Sequence, residues 1–348
     1  MVAKNIVPAA GSMAERLLSQ VSRFSGARVA VVGDLMLDRY IWGRATRISQ
    51  EAPVPVVHVN RETVVPGGAA NVVRNILSLG AKAVPFGMVG RDDTGRILRT
   101  LLREAGGDDS GILETDDRPT TVKTRVIAGT QQVVRIDHEV TTVMAPALSS
   151  TLLSRLSQTI ADGRVGALIL EDYAKGLLTR DVVQEIVTMC IRKGIPVALD
   201  PHPSNPFRVK GMDLMTPNRS EAFALAGVYY SGSGGKPIQE DQPLQEVARR
   251  LLDEWEVKNL LVTLGADGMA LFRTGEAPIH LPTRAREIYD VSGAGDTVMA
   301  AFVVARLAGA SLMDAMRISN QAAGIVVGKV GTTPVPLDEL KQELAAGE

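Results

Sequence analysis

Short apolar runs recur along the chain, each closing on a glycine or a carboxylate. Arg28-Val-Ala-Val-Val32 ends at Gly33-Asp34, Val165-Gly-Ala-Leu-Ile-Leu170 at Glu171-Asp172, Ile195-Pro-Val-Ala-Leu199 at Asp200, and Asn259-Leu-Leu-Val-Thr-Leu264 at Gly265. Between them, apolar residues fall at helical spacing, as in Leu152–Ala161, Arg180–Lys193 and Pro243–Trp255. Strands apolar on both faces, alternating with helices, predict an α/β fold whose parallel sheet is covered on both sides. Polar residues just after such strands then line the sheet's carboxyl edge, where folds of this kind bind ligands. Ahead of the first strand, Leu17, Val21 and Phe24 predict a short amphipathic helix packed on the body.

Two stretches break this rhythm. Pro53-Val-Pro-Val-Val-His-Val59, and Thr120–Ile127 with Val133–Asp137, alternate with period two and have no helix between them. They predict a small antiparallel sheet standing off the main one. In the second, Lys123 and Arg125 share one face, while Val122, Thr124 and Val126 share the other. Such a flap either covers an anionic ligand with its cations or simply exposes them to solvent. The chain thus divides into an extension over residues 1–27 and one domain over 28–340, with lid strands inserted at about 39–62 and 118–140.

Composition narrows the function classes. With 348 residues, 45% hydrophobic and 22% charged, the chain is that of a folded enzyme, not a disordered one. Aromatics at 4% and a net charge of −1 argue against nucleic-acid binding and against an electrostatic membrane surface. An anionic substrate must therefore be caught by a few placed cations. No apolar run is long enough to span a bilayer and no secretory signal is evident, so a cytoplasmic location is expected. The one cysteine, Cys190, sits in an apolar helical pattern and is expected to be a buried, inert thiol. The four histidines show no zinc-site spacing. The glycine-rich stretch Ser231–Pro237 lacks the spacing of a Walker loop and is expected to be a surface connection.

The strongest chemical signal is Asp290-Val-Ser-Gly-Ala-Gly-Asp296, followed by a long apolar helix. Small residues ahead of a helix let backbone N–H groups converge on an anion, and the helix terminus adds positive potential. Gly293, Ala294 and Gly295 are thus candidates to hold the charge of a phosphoryl group in transfer. Asp296, in the first turn, is placed to take the proton of an attacking hydroxyl, with a pKa expected to be lowered by the helix dipole. A plain helix cap is the alternative.

On these residues the chain resembles the ribokinase or PfkB carbohydrate kinases. Further matching strings are Gly67-Gly-Ala-Ala-Asn71, Gly87-Met-Val-Gly-Arg-Asp92-Asp-Thr-Gly95, Thr216-Pro-Asn218-Arg-Ser-Glu221 and Val262-Thr-Leu-Gly265-Ala-Asp-Gly268, in the family's order over about residues 28–335. The resemblance implies a three-layer ribokinase-like fold with a β lid, ATP as donor with Mg²⁺, and a homodimer formed through the lid. It implies Asp296 as base and Gly293-Ala294-Gly295 as anion hole. Asn218 and Glu221 would lie at the phosphates and magnesium, Glu221 acting through water, and Thr263, Gly265, Gly268 and Asn320 beside the nucleotide. Asp290 would help hold a monovalent cation such as K⁺.

Within the family, the similarity is greatest to the heptose 7-phosphate kinases of lipopolysaccharide-precursor synthesis. It rests on Gly33–Gly43, Arg47–Val56, Lys123-Thr-Arg125, Gln131–Asp137, Asp172-Tyr-Ala-Lys175-Gly176 and Ala322–Thr332. Transfer to the anomeric hydroxyl of D-glycero-D-manno-heptose 7-phosphate is then the implied reaction. Asp34, Asp38, Gly67, Gly68 and Asn71 would hold the sugar, with Asp172 beside them. Lys123, Arg125, Arg135 and Lys175 are candidates for its phosphate. Another sugar or sugar phosphate, such as fructose or ribose, is the alternative acceptor. The chain departs from the nearest kinases at His202-Pro-Ser-Asn-Pro206, and it lacks the His-x-Gly-His motif of bifunctional members, so only the kinase step is expected. A catalytically silent nucleotide-binding protein is disfavoured by the intact Gly293–Asp296 loop, and an oxidoreductase by the missing third small residue.

Overall fold

The computed structural model describes residues 12–230, 232, 237–284, 291–329 and 331–346. Thirteen strands are described: β1 (Arg28–Gly33), β2 (Leu35–Ile48), β3 (Pro55–Gly68), β4 (Lys82–Gly90), β5 (Gly111–Thr115), β6 (Thr121–Ala128), β7 (Gln131–His138), β8 (Ala167–Glu171), β9 (Val197–Asp200), β10 (Leu214–Met215), β11 (Leu260–Thr263), β12 (Met269–Phe272) and β13 (Ile279–Leu281). The helices are α1 (Met13–Val21), α2 (Ala69–Ser78), α3 (Asp93–Glu104), α4 (Pro146–Ala161), α5 (Arg180–Lys193), α6 (Arg219–Leu225), α7 (Gln242–Trp255), α8 (Ala294–Leu307), α9 (Leu312–Val327) and α10 (Leu337–Ala346).

Nine strands form the main sheet in the order β13-β12-β11-β10-β9-β8-β1-β4-β5. All its pairings are parallel except those of β12 with β11 and β13. Alternation along the central strands explains the layering. Val29 and Val31 of β1 and Ile169 of β8 pack with α1, α2, α8, α9 and α10. Ala30 and Val32 of β1, with Leu168 and Leu170 of β8, pack on the other face with α4, α5, α6 and α7. The result is the α/β sheet covered on both faces that the strand pattern predicts, in the three-layer form that the family resemblance implies.

The second sheet has the order β3-β2-β6-β7. It joins two antiparallel hairpins, β2–β3 and β6–β7, through a parallel β2–β6 pairing. Register places Val122, Thr124 and Val126 opposite His138, Ile136 and Val134, and Lys123 and Arg125 opposite Asp137 and Arg135. One lid face is therefore largely apolar and the other charged.

Helix α1 is fixed by a Ser12–Glu15 capping box and buries Leu17 and Val21, with Phe24 buried just beyond it. Its Arg16 and Gln20 both donate to Asp314 on α9, whose carboxyl is held down at about 2. Cys190 is buried, and burial pushes its thiol up to about 12, as an inert cysteine requires. Most of Ser231–Pro237 lies outside the described residues. No described helix is long and apolar enough to cross a membrane.

Candidate active site

Strands β1, β8 and β9 lie side by side, so the polar residues after them converge. The register pairs Gly33 with Glu171, and Glu171 with Asp200. Beyond this edge opens a cavity of about 400 Å³. Asp172, Asp200, Asn218, Glu221, Thr263, Gly265, Gly268, Ala294, Gly295, Asp296 and Asn320 all line it.

Asp296 lies in the first turn of α8, whose N-cap is Gly293 at φ +77°. Both of its carboxylate oxygens are engaged: Asn71 Nδ2 donates to Oδ2 at 2.6 Å, and the Tyr173 hydroxyl to Oδ1 at 2.9 Å. Contrary to the sequence expectation, burial holds its pKa above the usual carboxylate value, and the two hydrogen bonds only partly offset that. The helix dipole falls off within a turn and loses to desolvation. The consequence is a stronger base than expected. At the helix tip the Ala294 N–H already donates to the Val291 carbonyl at 3.2 Å, whereas a Cβ on Gly295 would meet nothing within 4 Å. The tip is open to the cavity at Gly295.

Asn218 and Glu221 form a capping box at α6: Asn218 Oδ1 accepts the Glu221 N–H at 3.0 Å, and Glu221 Oε2 accepts the Asn218 N–H at 2.8 Å. A structural role thus coexists with their place on the cavity wall. Asn320 Nδ2 donates to the Pro282 carbonyl at 2.7 Å. His202 also lines the cavity, its Nδ1 accepting the Ser204 N–H at 3.2 Å, and burial lowers its pKa. Asp290 lies outside the described residues.

The other sequence-derived residues, Asp172 apart, lie outside this cavity's lining, and one of them, Asn71, is bonded to Asp296. Asp34 is buried, with Oδ2 accepting the backbone N–H groups of Tyr173 and Lys175, each at 3.0 Å. Asp38 receives Arg125 Nη1 at 2.6 Å. Gly67 passes so close that a Cβ there would lie 2.6 Å from Asp38 Oδ2, and Gly68 has φ +55°. Asp172 accepts the Ala174 N–H at 2.8 Å, and burial pushes its carboxyl up to about 7. Lys175 reaches Glu139 at 2.8 Å, and Lys123 reaches Asp137 at 3.3 Å and Glu139 at 3.6 Å. Arg135, half exposed, pairs with Asp137 at 2.9 Å. Three of the four expected phosphate ligands therefore share two carboxylates.

Glu171 and Asp200 were not among the residues singled out from the sequence, although both close apolar strands. Carboxylate oxygens of Glu171, Asp200 and Asp296 lie within 4.8 Å of one another. Glu171 is fully buried, and neither of its carboxylate oxygens has a hydrogen-bond partner. Burial, reinforced by neighbouring carboxylates, raises both the Glu171 and Asp200 carboxyls well above their usual values. An all-oxygen, negatively charged and under-satisfied group of this kind fits a hard divalent cation.

A helix-tip carboxylate on the wall of a polar cavity, in a three-layer fold that carries a second, four-stranded sheet, is the arrangement of a kinase of the ribokinase-like class. The chain belongs to the pfkB family of carbohydrate kinases, whose family model matches residues 27–339. It is 41% identical over 311 residues to the bifunctional protein HldE of Geobacter sulfurreducens, covering 89% of this chain and 61% of that protein. The HldE of a Caulobacter species is 44% identical over 328 residues, covering 93% and 64%. The chain thus spans less than two thirds of the length of these relatives. Among solved structures, Arabidopsis thaliana ribokinase complexed with ribose and ATP superposes with a TM-score of 0.70 at 22% identity, over 91% of this chain and 99% of that one. Phosphofructokinase-2 of Escherichia coli in complex with potassium gives 0.72 at 17%, over 92% and 98%. Both share the fold.

Proposed function

We propose that this carbohydrate kinase transfers the γ-phosphoryl group of ATP to the anomeric hydroxyl of D-glycero-D-manno-heptose 7-phosphate, giving the 1,7-bisphosphate, as a step toward lipopolysaccharide precursors. The observation that carries the reading is the placement of Asp296 between the two halves of the site. On one side, the cavity offers Met269, Val298, Ala323 and Val327 as apolar lining suited to a base, and Asn218, Thr216 and Gly295 as polar lining suited to phosphates. On the other, Asp34, Asp38 and Asn71 offer acceptors and a donor to a polyol.

In this mechanism Asp296 orients the sugar hydroxyl and takes its proton as the oxygen attacks the γ-phosphorus. The α8 tip, open to the cavity at Gly295, receives the charge that spreads over the phosphoryl oxygens. Mg²⁺ would be held by Glu171 and Asp200, with Glu221 nearby, and supplies neutralisation of the donor's phosphates. A monovalent cation behind the Gly293–Gly295 loop and a cytoplasmic location belong to the same proposal.

The acceptor's own phosphate is favoured by charge. In direct ion pairs Lys123, Lys175 and Arg135 share the two carboxylates Asp137 and Glu139, three cations on two acids, and a phosphate would bind by exchanging with a carboxylate. A second reading is a neutral sugar, favoured because Lys123, Arg125, Arg135 and Lys175 each already have an acidic partner. An ADP-release assay across heptose 7-phosphate, fructose 6-phosphate, fructose and ribose separates them. The expected result is the highest kcat/KM for the heptose phosphate; faster turnover of fructose or ribose rejects the substrate assignment.

Pairing of two lids is proposed as well. Val134 and Ile136 of β7 are 45% and 54% exposed, and they extend the apolar face carried by Val126. Ile136→Asp is expected to halve the mass found by light scattering; a monomeric wild type rejects the dimer.

A further inference from the structure

We propose that Tyr173 is a positioning residue for phosphoryl transfer, one that fixes Asp296 and the sugar-side carboxylate Asp34 relative to each other. The inference rests on the reading of Asp296 as the base. Tyr173 spans the two halves of the site with two different groups. Its phenol hydroxyl donates to Asp296 Oδ1 at 2.9 Å, and its backbone N–H donates to Asp34 Oδ2 at 3.0 Å. The loop that carries it is held on both sides of this residue. Ala174, at φ +55°, donates its N–H to Asp172 Oδ1 at 2.8 Å, and the Lys175 N–H joins Tyr173 on Asp34 at 3.0 Å. A non-glycine residue in the left-handed region persists only where surrounding bonds over-determine it, which is the case here.

The hydrogen bonds on Asp296 explain what the phenol adds. Asn71 alone, at 2.6 Å on Oδ2, leaves the carboxylate able to swing about its last side-chain torsion, which is broad and weakly restrained. A second donor on Oδ1 fixes the plane. An ionised carboxylate has about four lone-pair sites, so each oxygen keeps one for the incoming hydroxyl proton. The hydroxyl of Tyr173 thus restricts orientation without blocking the acceptor. Misplacement of a reacting group by about 1 Å is enough to cost on the order of 10²-fold in rate.

The test is Tyr173→Phe, which removes the hydroxyl and keeps both the ring and the backbone N–H on Asp34. Single-turnover transfer from ATP to heptose 7-phosphate, or to the best acceptor of the panel, is expected to slow roughly 10- to 100-fold. Both KM values and calorimetric ADP binding should stay within about threefold, because Tyr173 lines the cavity and the variant keeps its ring and backbone N–H there, while the lost hydroxyl is engaged with Asp296. The decisive arm is a double-mutant cycle with Asp296→Asn: once the base is gone, Y173F should cost less than about threefold more. An unchanged rate in Y173F alone overturns the proposal and leaves the base assignment standing. So does an equal loss in the D296N background, which would mean that Tyr173 acts apart from Asp296. A D296N variant as fast as wild type removes the base reading and this proposal together. Loss of ADP binding in a Y173F variant that still melts like the wild type also rejects a purely positioning role.

Discussion

Asp296→Asn is expected to lower kcat by roughly 10²–10⁴-fold while ATP affinity stays near that of the wild type. The change is nearly isosteric. One amide oxygen can still accept from Asn71 or Tyr173, so the loop keeps a partner for at least one of the bonds that now hold Asp296 at 2.6 and 2.9 Å. What disappears is the capacity to accept a proton. Burial holds the Asp296 carboxyl above its usual value, so the wild-type side chain takes up a proton more readily than an exposed aspartate, and the loss should fall in the upper half of that range. Removing a buried negative charge also relieves Glu171 and Asp200, both of which Asp296 repels. D296N should therefore be at least as stable to heat as the wild type. Steady-state kinetics with a calorimetric ATP titration and a melting curve check all three points. Turnover within a fewfold of wild type would remove Asp296 from the reaction.

Much of this arrangement was legible along the chain because it depends on local order. A strand apolar on both faces, such as Val29–Val32, reveals a parallel sheet with helices on both sides, and the string Gly293–Asp296 reveals a helix tip with a carboxylate in its first turn. The alternation that set Lys123 and Arg125 on one face was likewise a property of a single strand. What failed was whatever needed the third dimension. Glu171 and Asp200 close strands separated by a whole helix, and only the β8–β9 pairing brings them together. Tyr173 stands in a loop, where no periodicity announces that its hydroxyl crosses to α8. The sign of the Asp296 shift differs from the sequence expectation because a helix dipole can be read from sequence, whereas burial cannot. The lid cations show the same limit: their types and face were clear, but Asp38, Asp137 and Glu139 as their partners were not. The spacing of Asn218 and Glu221 carried two meanings at once, a capping box and a cavity wall.

Gly293→Ala should be nearly as damaging as loss of the base, for a reason unrelated to proton transfer. Gly293 sits at φ +77°, where a side chain costs about 1–2 kcal/mol. A Cβ there would lie 2.8 Å from Asn71 Nδ2 and 2.9 Å from Thr332 Cγ2. Asn71 is buried and cannot yield without releasing Asp296. Thr332 is tied in turn to Tyr40, their hydroxyls 2.9 Å apart, and its carbonyl accepts from Arg74 at 3.1 Å. The methyl group must therefore move either the helix tip or the base. Either movement is expected to cost roughly 10²–10³-fold in kcat, the range for losing one donor of an anion hole. Because Asn71 is also proposed to hold the sugar, KM for the acceptor should rise while KM for ATP changes little. Gly295→Ala is the control that separates strain from occupancy. Its Cβ meets nothing within 4 Å, so the fold should tolerate it and the melting temperature should hold. Any loss of activity then comes from a methyl group intruding on the phosphoryl position, and it should appear with ATP saturation as well as without. A G293A enzyme with near-normal kcat would mean that the helix tip does not form the anion hole, whatever the role of Asp296.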